Sequence, residues 1–181
     1  MAAEGAHSMV ERMIGAARLD ARIFEEVEAD TSATRQALSV VFLVALATGI
    51  ASISMGTVGL PGVLVGVVVA VAGWAIWAWI VYFIGTKILS EHETHADWGQ
   101  LARSLGFAQS PGVLRVFGVV PGVGGIIFLV VAVWMLVSMV IAVRQALDYT
   151  STLRAIGVVL LGFIPYVILM SIAFALLGVK G

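Results

Sequence analysis

The feature that most constrains this chain is a series of long segments without a charged side chain. Segments 37–55, 63–85, 126–143 and 155–177 are each almost entirely apolar. A helix needs roughly 20 apolar residues to cross about 30 Å of hydrocarbon, so each segment is long enough to span a bilayer. The chain is 61% hydrophobic and 12% charged, whereas soluble domains have about a quarter of their residues charged. These values predict an all-α, multi-pass membrane protein.

A fifth segment, 101–120, has a sufficient length but is less apolar, because it contains Arg103, Gln109, Pro111 and Arg115. Lys and Arg collect in the cytoplasmic loops of membrane proteins. If this segment crosses the membrane and the N-terminus is cytoplasmic, nearly all the basic residues fall on the cytoplasmic side. We therefore predict five spans in the cell membrane, with the C-terminus outside. A re-entrant hairpin at 101–120 stays open as the alternative.

Pro111 predicts that the third span is broken. Proline lacks a backbone N–H and clashes with the carbonyl four residues earlier, so we expect a kink near Gln109 and Ser110. Backbone groups freed by a kink must find partners within the protein, because lipid offers none. The side chains of Gln109 and Ser110 are the local candidates for this task.

The residues ahead of the first span predict an amphipathic helix. Apolar positions recur every three or four residues from Val10 to Val27, and charged residues lie between them. Such a helix can lie on the membrane surface or pack beneath the cytoplasmic loops. The segment lacks the apolar core of a secretory signal, so we expect it to be kept. We divide the chain into a cytoplasmic amphipathic segment, 1–36, and a five-span membrane domain, 37–181.

Small residues recur at four-residue spacing in the first two spans. Ala45 and Gly49 share this spacing in the first span, and Gly62, Gly66 and Ala70 share it in the second. Small residues placed in this way let helix backbones approach closely. We expect close packing within one bundle, and a dimer interface is the alternative.

Arg115 is the charged residue whose depth is hardest to assign. An arginine inside the membrane is costly and is therefore a candidate for function. Its long side chain can snorkel to the nearer surface, donate to loop carbonyls or bind a ligand. No Asp or Glu lies within any predicted span to pair with it. This absence also weakens a proton-coupled transport mechanism.

A polar loop after the second span holds His92 and His95 beside Glu91, Glu93 and Asp97. The zinc-protease signature has its two histidines four residues apart, but here they are three apart. A catalytic zinc site also needs a third protein ligand, and no convincing one is present. We interpret the cluster as a solvated loop, with adventitious metal binding at His92 and His95 as the weaker alternative. No cofactor is predicted.

Other patterns give no indication of catalysis or of nucleic-acid binding. The chain has no cysteine, which excludes thiolate catalysis and cysteine-ligated metals. The hydroxyl residues of 148–154 have no histidine near them in the sequence, and the chain has no basic stripe. The remaining candidates for a functional or structural role are Gln109, Pro111, Arg115, Arg144 and Arg154.

The order of several motifs is distinctive. The first span follows "RIFEEVEAD", and the second ends in "WIVYFIGTKIL". After the polar loop come "HADWGQLARSLGFAQSPGVLRVFGVVPGVGG" and "VVAVWMLVSMVIAVRQALDYTSTLRAIGVVLLG". Over residues 22–177 this order resembles bacterial members of the Yip1 domain family. The positions that match the family pattern are Tyr82, Phe83, Phe107, Pro111, Pro121, Trp134, Arg144, Arg154 and Ala155.

The resemblance implies a helical membrane protein without a catalytic motif. Eukaryotic relatives are linked to Rab GTPases and carry an Asp-Leu-Tyr-Gly-Pro motif, which this chain lacks, so that role does not carry over. We predict a non-enzymatic scaffold or membrane-shaping protein. Its contacts are the lipid bilayer and a protein partner at the cytoplasmic loops and N-terminal helix, and a homo-oligomer stays open. The alternative is a small oligomeric transporter or channel that uses the broken third helix.

Overall fold

The computed structural model describes residues 7–91, 94 and 96–176, with side chains described as far as residue 172. In these ranges every regular element is helical. A π-helical turn, Ile84–Ile88, extends the fourth α-helix, and a 3₁₀ helix, Ser110–Val119, follows the fifth. The α-helices are α1 (Met9–Ala17), α2 (Ala21–Ala29), α3 (Ala33–Ser54), α4 (Leu60–Phe83), α5 (Trp98–Phe107), α6 (Gly124–Ala146) and α7 (Thr152–Leu176).

Among the described residues, four helices are long and apolar enough to cross a membrane, namely Ala33–Ser54, Leu60–Ile88, Gly124–Ala146 and Thr152–Ile172. Each of them also exposes large aliphatic side chains on its outer surface. A soluble monomer rarely exposes apolar surface of this extent, so these helices are suited to lipid. Examples, one from each helix, are Ile50, Val68, Leu129 and Ile164.

Segment 101–120 forms most of α5 and the 3₁₀ helix, and it runs parallel to α3. Three glycines at six-residue spacing face α3 along this contact. A Cβ on Gly112 would lie 2.5 Å from Cγ1 of Val44, so a larger residue would force the two segments apart. The contacts advance in the same direction along both segments: Gly106 lies against Ala37, Gly112 against Val44 and Gly118 against Ala51.

The break expected near Pro111 is present as a change of helix type. The α-helix ends at Phe107, and Pro111 lies in the first turn of the 3₁₀ helix. Proline suits this position because the first turn of a helix does not use its N–H groups. Ser110 donates a hydrogen bond of 2.6 Å from Oγ to the Phe107 carbonyl, which satisfies one backbone group freed at the junction.

The N-terminal segment contains two helices where a single one was expected. Leu19 adopts a positive φ of 64° and ends α1. Asp20 then caps α2 by accepting a hydrogen bond from the Arg22 amide. The apolar faces of both helices pack against the bundle, and Phe24 and Val27 are fully buried. The segment therefore packs against the bundle, and a side-chain network described below holds it in place.

The bundle has two contrasting ends. At the "polar end", α3, α5 and α7 begin while the π-helical turn and α6 end. At the "glycine-rich end", the turns 55–59 and 120–123 join the helices and contain no charged residue. There Ser54 Oγ donates a hydrogen bond of 3.3 Å to the carbonyl of Val119. The 3₁₀ helix and α3 thus finish together at the glycine-rich end.

Candidate functional site: the polar end and the Arg115 cavity

Glu91 joins the two polar loops of the chain. Its Oε2 accepts hydrogen bonds from the Thr150 amide at 3.0 Å and the Thr150 hydroxyl at 2.9 Å. Its Oε1 lies 3.3 Å from Arg154 Nε. The hydrogen bond from the Thr150 amide is the main reason that the pKa of Glu91 is lowered. The loop after α4 and the loop before α7 are therefore a single bonded structure.

Tyr149 anchors this structure to the end of α4. Its hydroxyl oxygen lies 2.8 Å from the carbonyl oxygens of both Gly85 and Leu89, at the two ends of the π-helical turn. The ring is 4% exposed, and burial raises the pKa of Tyr149 to about 12. The phenol therefore stays neutral and can donate a hydrogen bond to carbonyls that the turn leaves without partners.

The two candidate arginines of this region, Arg144 and Arg154, support the same loops. Arg144 donates from Nε to the Tyr149 carbonyl at 3.3 Å. Arg154 donates from Nη1 to the Ser90 carbonyl at 2.8 Å. Both guanidinium groups thus bond to backbone of the loops. Both residues lie at the polar end, and their contacts are those of structural residues.

Side chains from the bundle bind the N-terminal helices through backbone carbonyls. Trp134 donates from Nε1 to the Ala17 carbonyl at 2.8 Å. Arg103 donates from Nε to the Val27 carbonyl at 3.0 Å and from Nη2 to the Glu28 carbonyl. Arg103 is 5% exposed, so these bonds are largely shielded from water. They satisfy carbonyls in the last turns of α1 and α2, where helices have no internal donors left.

A buried arginine also ties the two N-terminal helices to α3. Arg12 is 1% exposed, and its Nη2 lies 2.7 Å from Asp30 Oδ2 and 2.8 Å from Glu26 Oε1. Its Nη1 donates to Gln36 Oε1 at 2.9 Å. Hydrogen bonds from Ser32 and Arg12 lower the pKa of Asp30 to about 2. The cluster is thus fully ionised near neutral pH.

Glu28 lies in a different electrostatic environment, at the contact between α2 and α5. Gln100 donates from Nε2 to Glu28 Oε1 at 3.2 Å. Partial burial, followed by the nearby carboxylate of Asp148, raises the pKa of Glu28 to about 7. The charge at this contact therefore changes near neutral pH.

A cavity of about 240 Å³ lies in the half of the bundle toward the glycine-rich end. It is bounded by α3, α4 and the 3₁₀ helix. Gln109 and Arg115, two of the candidate residues, lie in its wall together with Thr48 and Ser52. Pro111 is buried and does not line it. The structure thus brings Gln109 and Arg115 together, far from Arg144 and Arg154.

The small residues of the first two spans surround this cavity. A Cβ on Gly49 would lie 2.5 Å from Val63 Cγ1, as expected for close packing. A Cβ on Gly66 would meet no atom within 4 Å, because Gly66 faces the open space. The expectation of close packing therefore holds at Gly49 and fails at Gly66. The cavity lining also includes Ala45, Gly62 and Ala70.

The cavity does not extend as a pathway through the part of the bundle that the structure describes. Its lining reaches Val44 and Gln109 in the direction of the polar end. Beyond them Val40 and Phe107 are fully buried against their neighbours. The arrangement gives no support to the transporter or channel alternative.

The histidine loop lies mostly beyond what the structure describes. The prediction about His92 and His95 falls on residues outside the described ranges, as does Glu93. Elsewhere in residues 7–91, 94 and 96–176, no group of three or more His, Cys, Asp and Glu side chains converges as a metal site would.

Sequence reasoning missed several residues that organise the polar end. In the sequence, Arg103 is only one polar residue of segment 101–120, and Arg12 is only one of the charged residues between Val10 and Val27. Tyr149 lies in segment 148–154, whose hydroxyl residues give no indication of catalysis. The signal that could have identified them is the scarcity of polar side chains near the long apolar segments. A charged or hydroxyl group in such a place must find hydrogen-bond partners inside the protein.

The fold and these contacts define a multi-pass, α-helical membrane protein whose N-terminal helices are hydrogen-bonded to its bundle. The family model of the Yip1 domain matches residues 20–172. The chain therefore belongs to the Yip1 domain family, as the motif order predicted. No curated protein and no solved structure matches the chain.

Proposed function

We propose that this protein is a non-enzymatic membrane scaffold that binds a partner protein at its polar end. The observation that carries the proposal is the joining of the N-terminal helices and both polar loops into one bonded surface. Arg103, Trp134 and Glu91 each connect segments that are far apart in the sequence. A surface fixed in this way can bind a partner without the entropy loss of ordering flexible loops.

A scaffold role is also supported by how the reactive side chains are used. Glu91, Tyr149 and Arg103 all form hydrogen bonds within the chain. A general acid, base or nucleophile needs a free edge that faces a substrate. The exposed part of this surface includes a shallow concavity at the start of α3, which we propose as the partner contact. It is lined by Thr31, Ser32, Thr34, Arg35 and Gln36.

We further propose that segment 101–120 is the third of five membrane crossings. Ten residues of α-helix and ten of 3₁₀ helix together measure about 35 Å, enough to cross the hydrocarbon. The parallel contact with α3, from Ala37 to Ala51, supports a full crossing rather than a re-entrant hairpin. With the N-terminus cytoplasmic, the polar end faces the cytoplasm and the C-terminus lies outside the cell membrane.

Single-cysteine labelling tests this topology, because the chain has no cysteine of its own. Cysteines at Thr57 and Val123 should react with a membrane-impermeant maleimide in intact cells. A cysteine at Thr150 should react only after permeabilisation. If 101–120 does not cross, Val123 will be protected and Thr150 exposed. This reversed labelling of positions 123 and 150 would reject the five-span topology.

Site-specific photo-cross-linking tests the partner-binding function. A photoreactive amino acid at Thr31 or Arg35, both on the exposed concavity, should give a discrete cross-linked product in cells. The matched control is Val58, an exposed position in the turn at the opposite end. The same set of products from all three positions would count against a specific partner at the polar end. A homo-oligomer would appear as a product of twice the chain mass.

A further inference from the structure

Arg115 is a cation without an ion-pair partner among the residues that the structure describes. Every Asp and Glu of the chain lies in 4–30, in 91–97 or at position 148. No hydrogen bond or ion pair joins Arg115 to any residue that the structure describes, and its Nε is buried without a partner. A membrane arginine in this situation is a candidate functional residue, and an anion from outside the chain would supply the partner that it lacks.

The 3₁₀ geometry explains why Arg115 lines the cavity. A 3₁₀ helix has three residues per turn, so Gly112, Arg115 and Gly118 lie along one face. The two glycines of this face lie against α3. The guanidinium carbon of Arg115 lies 5.5 Å from the centre of the Phe128 ring, which packs on one side of the cation. The side chain is therefore held at the wall of the cavity.

The cavity offers the features that an anionic oxygen group needs. Arg115, Gln109, Thr48 and Ser52 supply polar groups, and no carboxylate is in the lining. The remaining wall is made of small and aliphatic residues. A volume of about 240 Å³ is below the roughly 300 Å³ at which pockets for whole drug-sized ligands begin. It suits a compact head group whose apolar part stays outside.

We propose that this cavity holds the phosphate group of an anionic membrane lipid, with Arg115 as its counter-cation. Arginine matches phosphate geometry through paired N–H groups. The acyl chains lie along the outer surface of α4, where Leu64 and Val68 are exposed next to the cavity. A lipid fits better than free phosphate because the cavity lies between helices whose outer faces are lipid-facing. The site is separate from the proposed partner surface, at the other end of the bundle.

Native mass spectrometry of the full chain in mild detergent tests the proposal, with dioleoylphosphatidylglycerol as the probe. The parent protein should retain the lipid, and the Arg115→Gln variant should bind it roughly ten-fold more weakly, since one charge-assisted interaction is lost. The Arg115→Lys variant should keep part of the affinity. Gly66→Leu should also weaken binding, because Gly66 lines the cavity and a leucine side chain there would occupy part of its open space.

Matched controls separate this site from general charge or volume effects. Arg35→Gln removes an exposed arginine at the polar end. Gly125→Leu places a side chain in open space at the start of α6, outside the lining of the cavity. Both should bind the lipid as the parent does. Dioleoylglycerol, which has the same chains without phosphate, should not bind, and inorganic phosphate should not displace the lipid.

Several outcomes would overturn the inference. Equal lipid binding by the parent, Arg115→Gln and Gly66→Leu would mean that Arg115 only snorkels. Equal binding of dioleoylglycerol would show that phosphate is not recognised. Displacement by millimolar inorganic phosphate would assign the cavity to a soluble anion. If Arg115→Gln does not fold, the Gly66→Leu comparison decides the question by itself.

Discussion

The indole nitrogen of Trp134 donates a hydrogen bond of 2.8 Å to the backbone carbonyl of Ala17, a residue 117 positions earlier in the chain. Ala17 is the last residue of α1, where carbonyls lack partners within the helix. A side chain in the middle of α6 therefore completes the end of an N-terminal helix. This bond makes the position of α1 depend on the assembled bundle.

Replacing Trp134 by Phe should weaken the attachment of α1 to α6 while keeping an aromatic side chain at this position. The lost hydrogen bond is worth about 1 kcal/mol, so local opening of α1 should become roughly five-fold more frequent. Hydrogen exchange of the amides in Met9–Ala17 measures this effect. Trp98→Phe is the control, since Trp98 donates to the Ala75 carbonyl at 3.3 Å instead. Unchanged exchange in Trp134→Phe would show that the bond does not hold α1.

Replacing Arg12 by Met should lower the stability of the protein. The substitution leaves Glu26 and Asp30 without their buried counter-charge, which costs on the order of 2 kcal/mol. The measurement is the midpoint of thermal unfolding in detergent. Arg22→Met should have little effect, because Arg22 pairs with Asp20 at an exposed site. A midpoint for Arg12→Met equal to that of the parent would contradict the prediction.

Glu28 should make the protein less stable as the pH rises through neutrality. The pKa of Glu28 is raised from 4.5 to about 7 in the folded state, so the folded protein binds more protons than the unfolded chain between these values. Stability therefore falls from pH 4.5 to pH 7. Partial exposure limits the effect to about 1–2 kcal/mol.

The Glu28→Gln variant tests this linkage. Gln resembles the protonated side chain, so the variant and the parent should unfold at the same temperature near pH 4.5. At pH 8 the variant should be the more stable of the two. Thermal unfolding at both pH values is the measurement, and the low-pH comparison serves as the internal control. A parent more stable than the variant at pH 8 would reverse the predicted sign.

Replacing Tyr149 by Phe should destabilise the π-helical turn. The hydroxyl lost from Tyr149 leaves the carbonyls of Gly85 and Leu89 without this donor, at a cost of about 1 kcal/mol. Hydrogen exchange across 84–91 should increase. Tyr82→Phe is a matched control, because the Tyr82 hydroxyl has no hydrogen-bond partner among the described residues. Similar exchange in both variants would exclude a specific role for the Tyr149 hydroxyl.

The class of the protein and its family could be predicted from the sequence, because the features that define them depend on short stretches of residues. The four long apolar helices follow from runs of about 20 uncharged residues, and hydropathy is a property of each run by itself. The change of helix type at Pro111 follows from the chemistry of one residue. The start of α5 is local in the same way, since Asp97 forms a capping box with Gln100.

Other features could not be predicted from the sequence, because they depend on contacts that form only in the folded chain. The bond between Glu91 and Thr150 spans 59 residues, and that between Arg103 and Val27 spans 76. No periodicity in the sequence encodes such pairs. The two-helix form of the N-terminal segment depends on Leu19 in the left-handed region, and packing of α1 and α2 against the bundle favours this turn over a continuous helix.

The sequence by itself determined that this is a multi-pass membrane protein of the Yip1 domain family, with a less apolar, proline-broken segment between its second and fourth predicted spans. Tertiary structure decided where the few polar groups point. In an α-helix, Gly112 and Gly118 would lie on different faces, but 3₁₀ geometry aligns them with Arg115 against α3. The three-residue repeat thus places both glycines where α3 approaches most closely, and such a contact between distant segments exists only in the assembled bundle.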